Sequence, residues 1–151
     1  MNQTFADGLE KSLHEMLPLV KALEIRVEEA RPGHIKVSMS QSPIVVNHFG
    51  AFHAGALYTF AETVGGAVVK ASFDWEDTTL INKRGVISYR KMVMRKVMSE
   101  ASFSAEDVAR IKAEVEEKGR TEFPYTVIVR NEDDEVACEA TFDFYARKNR
   151  G

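Results

Sequence analysis

Apolar residues recur at helical spacing from Asp7 to Val20, with Leu9, Leu13, Met16, Leu17 and Val20 on one side and a break at Pro18. The pattern predicts an amphipathic helix lying on a larger body. The period then changes. Leu23, Ile25 and Val27 alternate with Glu24, Arg26 and Glu28, Arg31-Pro32-Gly33 makes a turn, and Ile35, Val37 and Met39 alternate again. Two strands joined by a hairpin are expected there. Residues 41–50, with Pro43 and Gly50, read as a loop. Residues 51–73 are apolar on nearly every helical face, so a helix there must be surrounded. A membrane span needs about 20 apolar residues in a row. His53, Glu62 and the pair Gly65-Gly66 interrupt this stretch, so its surroundings are expected to be protein and no membrane is expected as a partner.

Further on, Thr79 to Met92 and Lys96 to Ser104 are rich in β-branched and aromatic residues and read as strands. Ser104 then caps a surface helix that has acids in its first turn, Val108, Ile111 and Val115 on one face, and Gly119 as its stop. Tyr125 to Arg130 and Val136 to Arg147 flank the polar turn Asn131-Glu132-Asp133-Asp134 and form a hairpin. In the last strand Cys138 shares a face with Ala140, Phe142 and Phe144, which makes it a small core residue. No linker or repeat divides the chain, so residues 1–151 are expected to form a single domain. The expected class is α+β: a curved, mainly antiparallel sheet of about six strands wrapped around a long buried central helix. An N-terminal helix and a short inserted surface helix complete it.

Composition narrows the function. With 20 Lys+Arg against 23 Asp+Glu the net charge is 20 − 23 = −3, which gives no bulk field to attract a nucleic acid. A single cysteine excludes an intrachain disulfide and a multi-cysteine metal site. Met1 to Glu15 shows no apolar run behind a basic cluster, so a cytoplasmic protein is expected.

The chemistry concentrates in Asn47-His48-Phe49-Gly50-Ala51-Phe52-His53-Ala54-Gly55, followed by Glu62 inside the apolar helix. Glu62 is the only carboxylate between Gln41 and Phe73. A buried carboxylate must be partnered, reach water, or hold its proton more tightly, and each suits a general base or nucleophile. The helix begins near His53 and Ala54, where free backbone N–H groups and the positive end of the helix dipole can stabilise an oxyanion. Ala54 and Glu62 are eight positions apart, about 12 Å along a helix at about 1.5 Å per residue. Both groups must come within about 3 Å of the reacting atoms, so one chain cannot supply both. Glu62 is expected to work with Ala54 of a second copy across a two-fold interface.

These residues resemble the PaaI-type (phenylacetyl-CoA) branch of the hotdog-fold acyl-CoA thioesterases. The motif of that family is Asn-x-x-Gly-x-x-His-Gly-Gly with Asp or Glu seven residues beyond the last Gly. Asn47, Gly50, His53, Gly55 and Glu62 match it in identity and spacing, and the order of elements matches across most of the chain. The resemblance implies a hotdog fold and hydrolysis of an acyl-CoA thioester without metal or bound cofactor, coenzyme A entering as part of the substrate. It implies homodimers, often paired into homotetramers. Glu62 then corresponds to the catalytic carboxylate, base or nucleophile, and the Ala54 N–H to the group that polarises the thioester carbonyl. Asn47 corresponds to a side-chain amide on substrate or water, and His53 to a residue ordering the helix start. Gly50 and Gly55 belong to the substrate-binding loop, with Thr63 and Gly66 beside the carboxylate. Ala54 replaces the first Gly of the pair, and Gly66 stands where related enzymes carry Ser or Thr.

Other constellations carry less. His14-Glu15 meets Pro18 where a second zinc-binding His belongs, and His48 and His53 are five apart, off helical ligand spacing, so no metal is expected. The run Arg90 to Lys96 and the tail Arg147 to Arg150 are locally basic. Arg90, Lys83 and Arg84 are candidates for the phosphates of coenzyme A. Phe52, Tyr58, Phe60, Phe73, Trp75 and Tyr89 are candidate pocket or core aromatics. The alternatives are a non-catalytic acyl-CoA or lipid-binding hotdog protein, a hydratase or dehydratase, against which the Asn-to-Glu spacing counts, and a structural oligomerisation module.

Overall fold

The computed structural model describes residues 3–73 and 76–149. Trp75, named above as a candidate aromatic, and Arg150, at the end of the basic tail, lie outside the described residues. The elements are α1 (Gln3–Met16), α2 (Pro18–Ala22), β1 (Arg26–Arg31), β2 (His34–Ser40), α3 (Ala54–Ser72) and β3 (Thr78–Tyr89). They continue with β4 (Lys96–Ser102), α4 (Ala105–Lys118), β5 (Arg120–Arg130) and β6 (Val136–Lys148). The six strands make one sheet in the order β1-β2-β4-β5-β6-β3, every neighbouring pair antiparallel.

The expected N-terminal helix is two helices. Pro18 cannot donate to the preceding turn and suits a first helical turn, so α1 stops at Met16 and α2 starts at Pro18. α1 buries Ala6, Leu9 and Leu13. It is pinned to the start of the sheet by Glu10, whose carboxylate accepts the Val27 N–H at 2.8 Å, and by His14, which donates to the Ile25 carbonyl at 2.7 Å. His14 is thus a structural contact.

α3 packs against β2, β4, β5 and β6, and Phe60, Val64 and Val68 have no exposed surface. Phe142 and Phe144 of β6 meet it from the sheet. A Cβ on Gly65 would lie 3.0 Å from the Phe144 ring, so glycine there lets helix and sheet close together. Truncating Phe60 or Phe142 to Ala costs about 3–5 kcal/mol by the usual large-to-small penalty. Cys138 is buried as expected, and burial pushes its thiol up to about 11, which removes it from nucleophilic chemistry at neutral pH.

Several strand boundaries differ from expectation: β1 starts at Arg26 rather than Leu23, β4 ends at Ser102 rather than Ser104, and one end each of β3 and β5 moves further. β3 ends at Tyr89 rather than Met92, because the Arg90 and Lys91 N–H groups both turn to the Ala137 carbonyl, at 2.7 and 3.1 Å. β5 begins at Arg120 rather than Tyr125. It pairs with β6 along its length but with β4 only at Met98↔Arg130, so the missing N–H of Pro124 breaks no second ladder. Side chains bridge the open seam: the Tyr125 hydroxyl accepts from the Ser102 N–H at 2.9 Å and the Ser99 hydroxyl donates to the Ile128 carbonyl at 2.8 Å. α4 is capped as expected. Ser104 accepts from the Asp107 N–H at 3.0 Å, and Gly119 closes the helix at φ +71°. Among the described residues no helix is long and apolar enough to cross a membrane.

Candidate active site

The loop before α3 is built around Asn47. Its side-chain oxygen accepts from the Phe49 N–H at 2.9 Å and the Ala51 N–H at 3.2 Å, while the Asn47 N–H donates to the Ala51 carbonyl at 2.7 Å. Gly50 has φ +77°, in the left-handed region where a side chain costs roughly 1–2 kcal/mol. The loop is docked on both sides: Phe52 N–H donates to Val93 at 2.9 Å and His53 N–H to Val45 at 2.6 Å. His53 is the N-cap of α3, and its Nδ1 accepts from the Gly55 N–H at 2.9 Å. An accepting Nδ1 makes His53 the neutral Nε2–H tautomer while this bond holds. A Cβ on Gly55 would come within 3.1 Å of that ring, so Gly55 leaves room for the cap.

With the Gly55 amide taken by His53, the Ala54 N–H is left without a partner among the described residues. Its carbonyl receives the Tyr89 hydroxyl at 2.9 Å, which ties the end of β3 to the first turn of α3. A cleft of about 290 Å³ opens here, and among its lining residues are Asn47, Phe52, Ala54, Tyr89, Arg90 and Lys91. The Asn47 oxygen is committed to two loop amides, so its NH2 is the end free for a ligand. Burial raises the Tyr89 hydroxyl above its ordinary value, so it stays a neutral donor.

Glu62 does not line this cleft. It lies two turns further along α3, half-buried, and among the described residues no donor or cation faces it. Loss of solvent alone raises its carboxyl above the ordinary 4.5. One turn beyond, Gly66 is bare: nothing lies within 4 Å of where a Cβ would stand. Thr63 is buried and gives its hydroxyl to the Thr59 carbonyl at 2.7 Å, so it does not share the open side of Glu62. Lys83 pairs with Glu122 at 2.6 Å and Arg84 with Asp143 at 3.7 Å, both outside the cleft. Arg90 lines it while paired with Glu139 at 3.1 Å.

The structure thus gathers Asn47, Gly50, His53, Ala54, Gly55 and Arg90 at one end of α3 and leaves Glu62, Thr63, Gly66, Lys83 and Arg84 away from it. Phe60 is core, and Phe73 is buried edge-on to Phe103 with centroids 5.6 Å apart. The bond from Tyr89 to Ala54 spans 35 positions and leaves no local trace in the sequence. Nor was the looping of Asn47 onto its own backbone anticipated, although Asn followed by Gly three residues later is a turn signal.

A family model described as Domain of unknown function (DUF4442) matches residues 8–146. No curated protein matches the chain. Among solved structures, a protein of unknown function from Pseudomonas aeruginosa described as a probable thioesterase is 28% identical. The match covers 99% of this chain and 97% of that one, with a TM-score of 0.87. A thioesterase from Haemophilus influenzae is 16% identical over 95% of this chain and 90% of that one, TM-score 0.75. A hypothetical thioesterase protein with coenzyme A from Streptococcus pneumoniae is 21% identical over 87% and 93% of the two chains, TM-score 0.65. The last two likenesses are of fold.

Proposed function

The chain belongs to the family described as a domain of unknown function, DUF4442, and we propose that it is a PaaI-type hotdog thioesterase that hydrolyses an acyl-CoA. One observation carries this: a single helix presents an amide at its start, Ala54, and a half-buried carboxylate two turns on, Glu62, neither with a partner among the described residues. A free N–H at a helix N-terminus is suited to a developing oxyanion. A carboxylate raised by burial is suited to accept a proton near neutral pH. That the solved relatives are called thioesterases, one of them with coenzyme A, supports the substrate class.

The two groups meet when a second copy packs with its α3 antiparallel to the first. β3 ends the sheet, pairs only with β6 and exposes Ile81 and Val86 by about half, 50% and 49%. Such an edge calls for cover, and a second β3 supplies it. In the assembled site Glu62 takes a proton from water as the water oxygen attacks the thioester carbonyl. The partner's Ala54 N–H holds the oxyanion, and collapse expels the thiolate, which takes the proton back from Glu62. Asn47 offers its NH2 to the substrate or the water. Arg90, and Lys91 beside it, meet the phosphates of coenzyme A by exchanging Glu139 and Glu135 for them. Lys83 and Arg84 lie along the same edge strand as further cations. No metal or bound cofactor takes part in this scheme.

Turnover of short, medium and aromatic acyl-CoAs, with Glu62→Ala beside wild type, tests it. The variant should lose about 100- to 10,000-fold in kcat with its fold intact. Equal rates would sink the assignment. The methyl of Ala54 and the bare Gly66 favour one other outcome, a protein that binds acyl-CoA without cleaving it. It would show ligand-dependent stabilisation and no turnover.

A further inference from the structure

With Glu62 of one copy level with Ala54 of the other, two antiparallel α3 helices are level with each other at residue 58, halfway between. Tyr58 stands there. It lies one turn, about 6 Å, from both Ala54 and Glu62. Its ring is half-buried and edge-on to Phe142, with centroids 5.7 Å apart. The phenol reaches across to the edge strand, where a Cβ on Gly85 would fall 2.1 Å from the Tyr58 hydroxyl oxygen and 2.9 Å from the Phe142 ring. Only glycine at position 85 admits this side chain. Among the described residues the hydroxyl has no hydrogen-bond partner. A half-buried Tyr usually finds one, so shape rather than a bond holds the ring, with the oxygen packed over Gly85 of β3.

We propose that Tyr58 is the end wall of the acyl pocket. The identity of the ligand rests on the thioesterase function proposed above; the wall itself rests on the Tyr58–Gly85 packing. The phenol fills the space between α3 and β3 one turn from Glu62, so an acyl chain that runs from Glu62 toward the dimer axis meets it, and the two Tyr58 rings of a dimer separate its two sites. Short acyl groups fit beside this wall and long ones do not. Gly85 is the complementary position, because any side chain there would drive the phenol toward the substrate.

The test uses S-alkyl coenzyme A thioethers, which bind but cannot be hydrolysed, in a series from ethyl through butyl and octyl to dodecyl. Affinities are measured by calorimetry for wild type, Tyr58→Ala and Tyr58→Phe. Wild type and Tyr58→Phe should bind best at short chains. Tyr58→Ala should shift the optimum to octyl or longer, changing the octyl-to-butyl affinity ratio by about tenfold or more, as a few newly buried methylenes allow. If Tyr58→Ala does not fold, Tyr58→Leu carries the comparison. An unchanged length profile in a folded variant overturns the wall, and so does a wild type that binds none of the ethers. A shifted profile without any cleavage of the matching acyl-CoA leaves the wall standing and overturns the thioesterase.

Discussion

Glu62 is a carboxylate that lost part of its solvent and gained no partner among the described residues, so the folded chain holds its proton more tightly than the unfolded chain does. Between the ordinary value of 4.5 and the raised one, the folded state binds more protons. Stability therefore falls as pH rises through that window and stays lower above it. Glu62→Gln keeps the shape without the charge. Its melting temperature should exceed that of wild type by a margin that opens above pH 4.5 and is absent below it, and thermal unfolding followed across pH measures this. A margin independent of pH would mean that a partner compensates the charge. Asn47 separates two roles by chemistry. Asn47→Ala leaves the Phe49 and Ala51 amides without their acceptor and should cost about 1–2 kcal/mol in denaturant unfolding. Asn47→Asp keeps the acceptor but has no NH2, so it should unfold like wild type and still turn over more slowly. Spacing alone singled out both residues, but only the folded loop shows which end of the Asn47 amide is free.

At the scale of elements, the best-read segments are those whose ends are set by local chemistry. Ser104 and Gly119 bound α4 where the sequence places them, and Ser104→Ala should lower stability by about 1 kcal/mol through loss of the cap. Gly119→Ala should cost roughly 1–2 kcal/mol, since its φ of +71° resists a side chain; equilibrium unfolding of the two single variants checks both. Arg31-Pro32-Gly33 gave the first hairpin for the same reason. The start of β5 was not legible, because Glu122 and Pro124 look unlike strand. What makes Pro124 acceptable is that β4 forms no backbone ladder with this part of β5, a fact of the sheet and not of the segment. The mixed character of α3 was half legible. Its apolar faces announce burial, but the open stripe of Gly55, Thr59, Glu62, Gly66 and Lys70 emerges only once the sheet covers the rest. Ala54 is the first residue of that helix and His53 before it has ψ 136°, a conformation that a following proline favours. Ala54→Pro should therefore remove the amide hydrogen proposed to hold the oxyanion with little loss of stability, since Pro is well tolerated at the first helical position.

For the molecule as a whole, the order of helices and strands and the antiparallel sheet could be read from hydrophobic period and turn residues. The site could be read only as two halves. In one chain the Asn47 cleft and Glu62 remain apart, and in the proposed dimer a second copy brings them together along the exposed edge of β3. That sharing can be tested directly. Glu62→Gln and Ala54→Pro chains, each with its own affinity tag, are co-expressed, and the mixed dimer is purified through both tags. In this dimer the first chain still supplies Ala54 and the second still supplies Glu62, so one of its two sites is whole. Each homodimer of a single variant should be nearly inactive, and the mixed dimer should recover about half of the wild-type acyl-CoA hydrolysis, one site in two. A mixed dimer as inactive as its parents would contradict a site built from two copies.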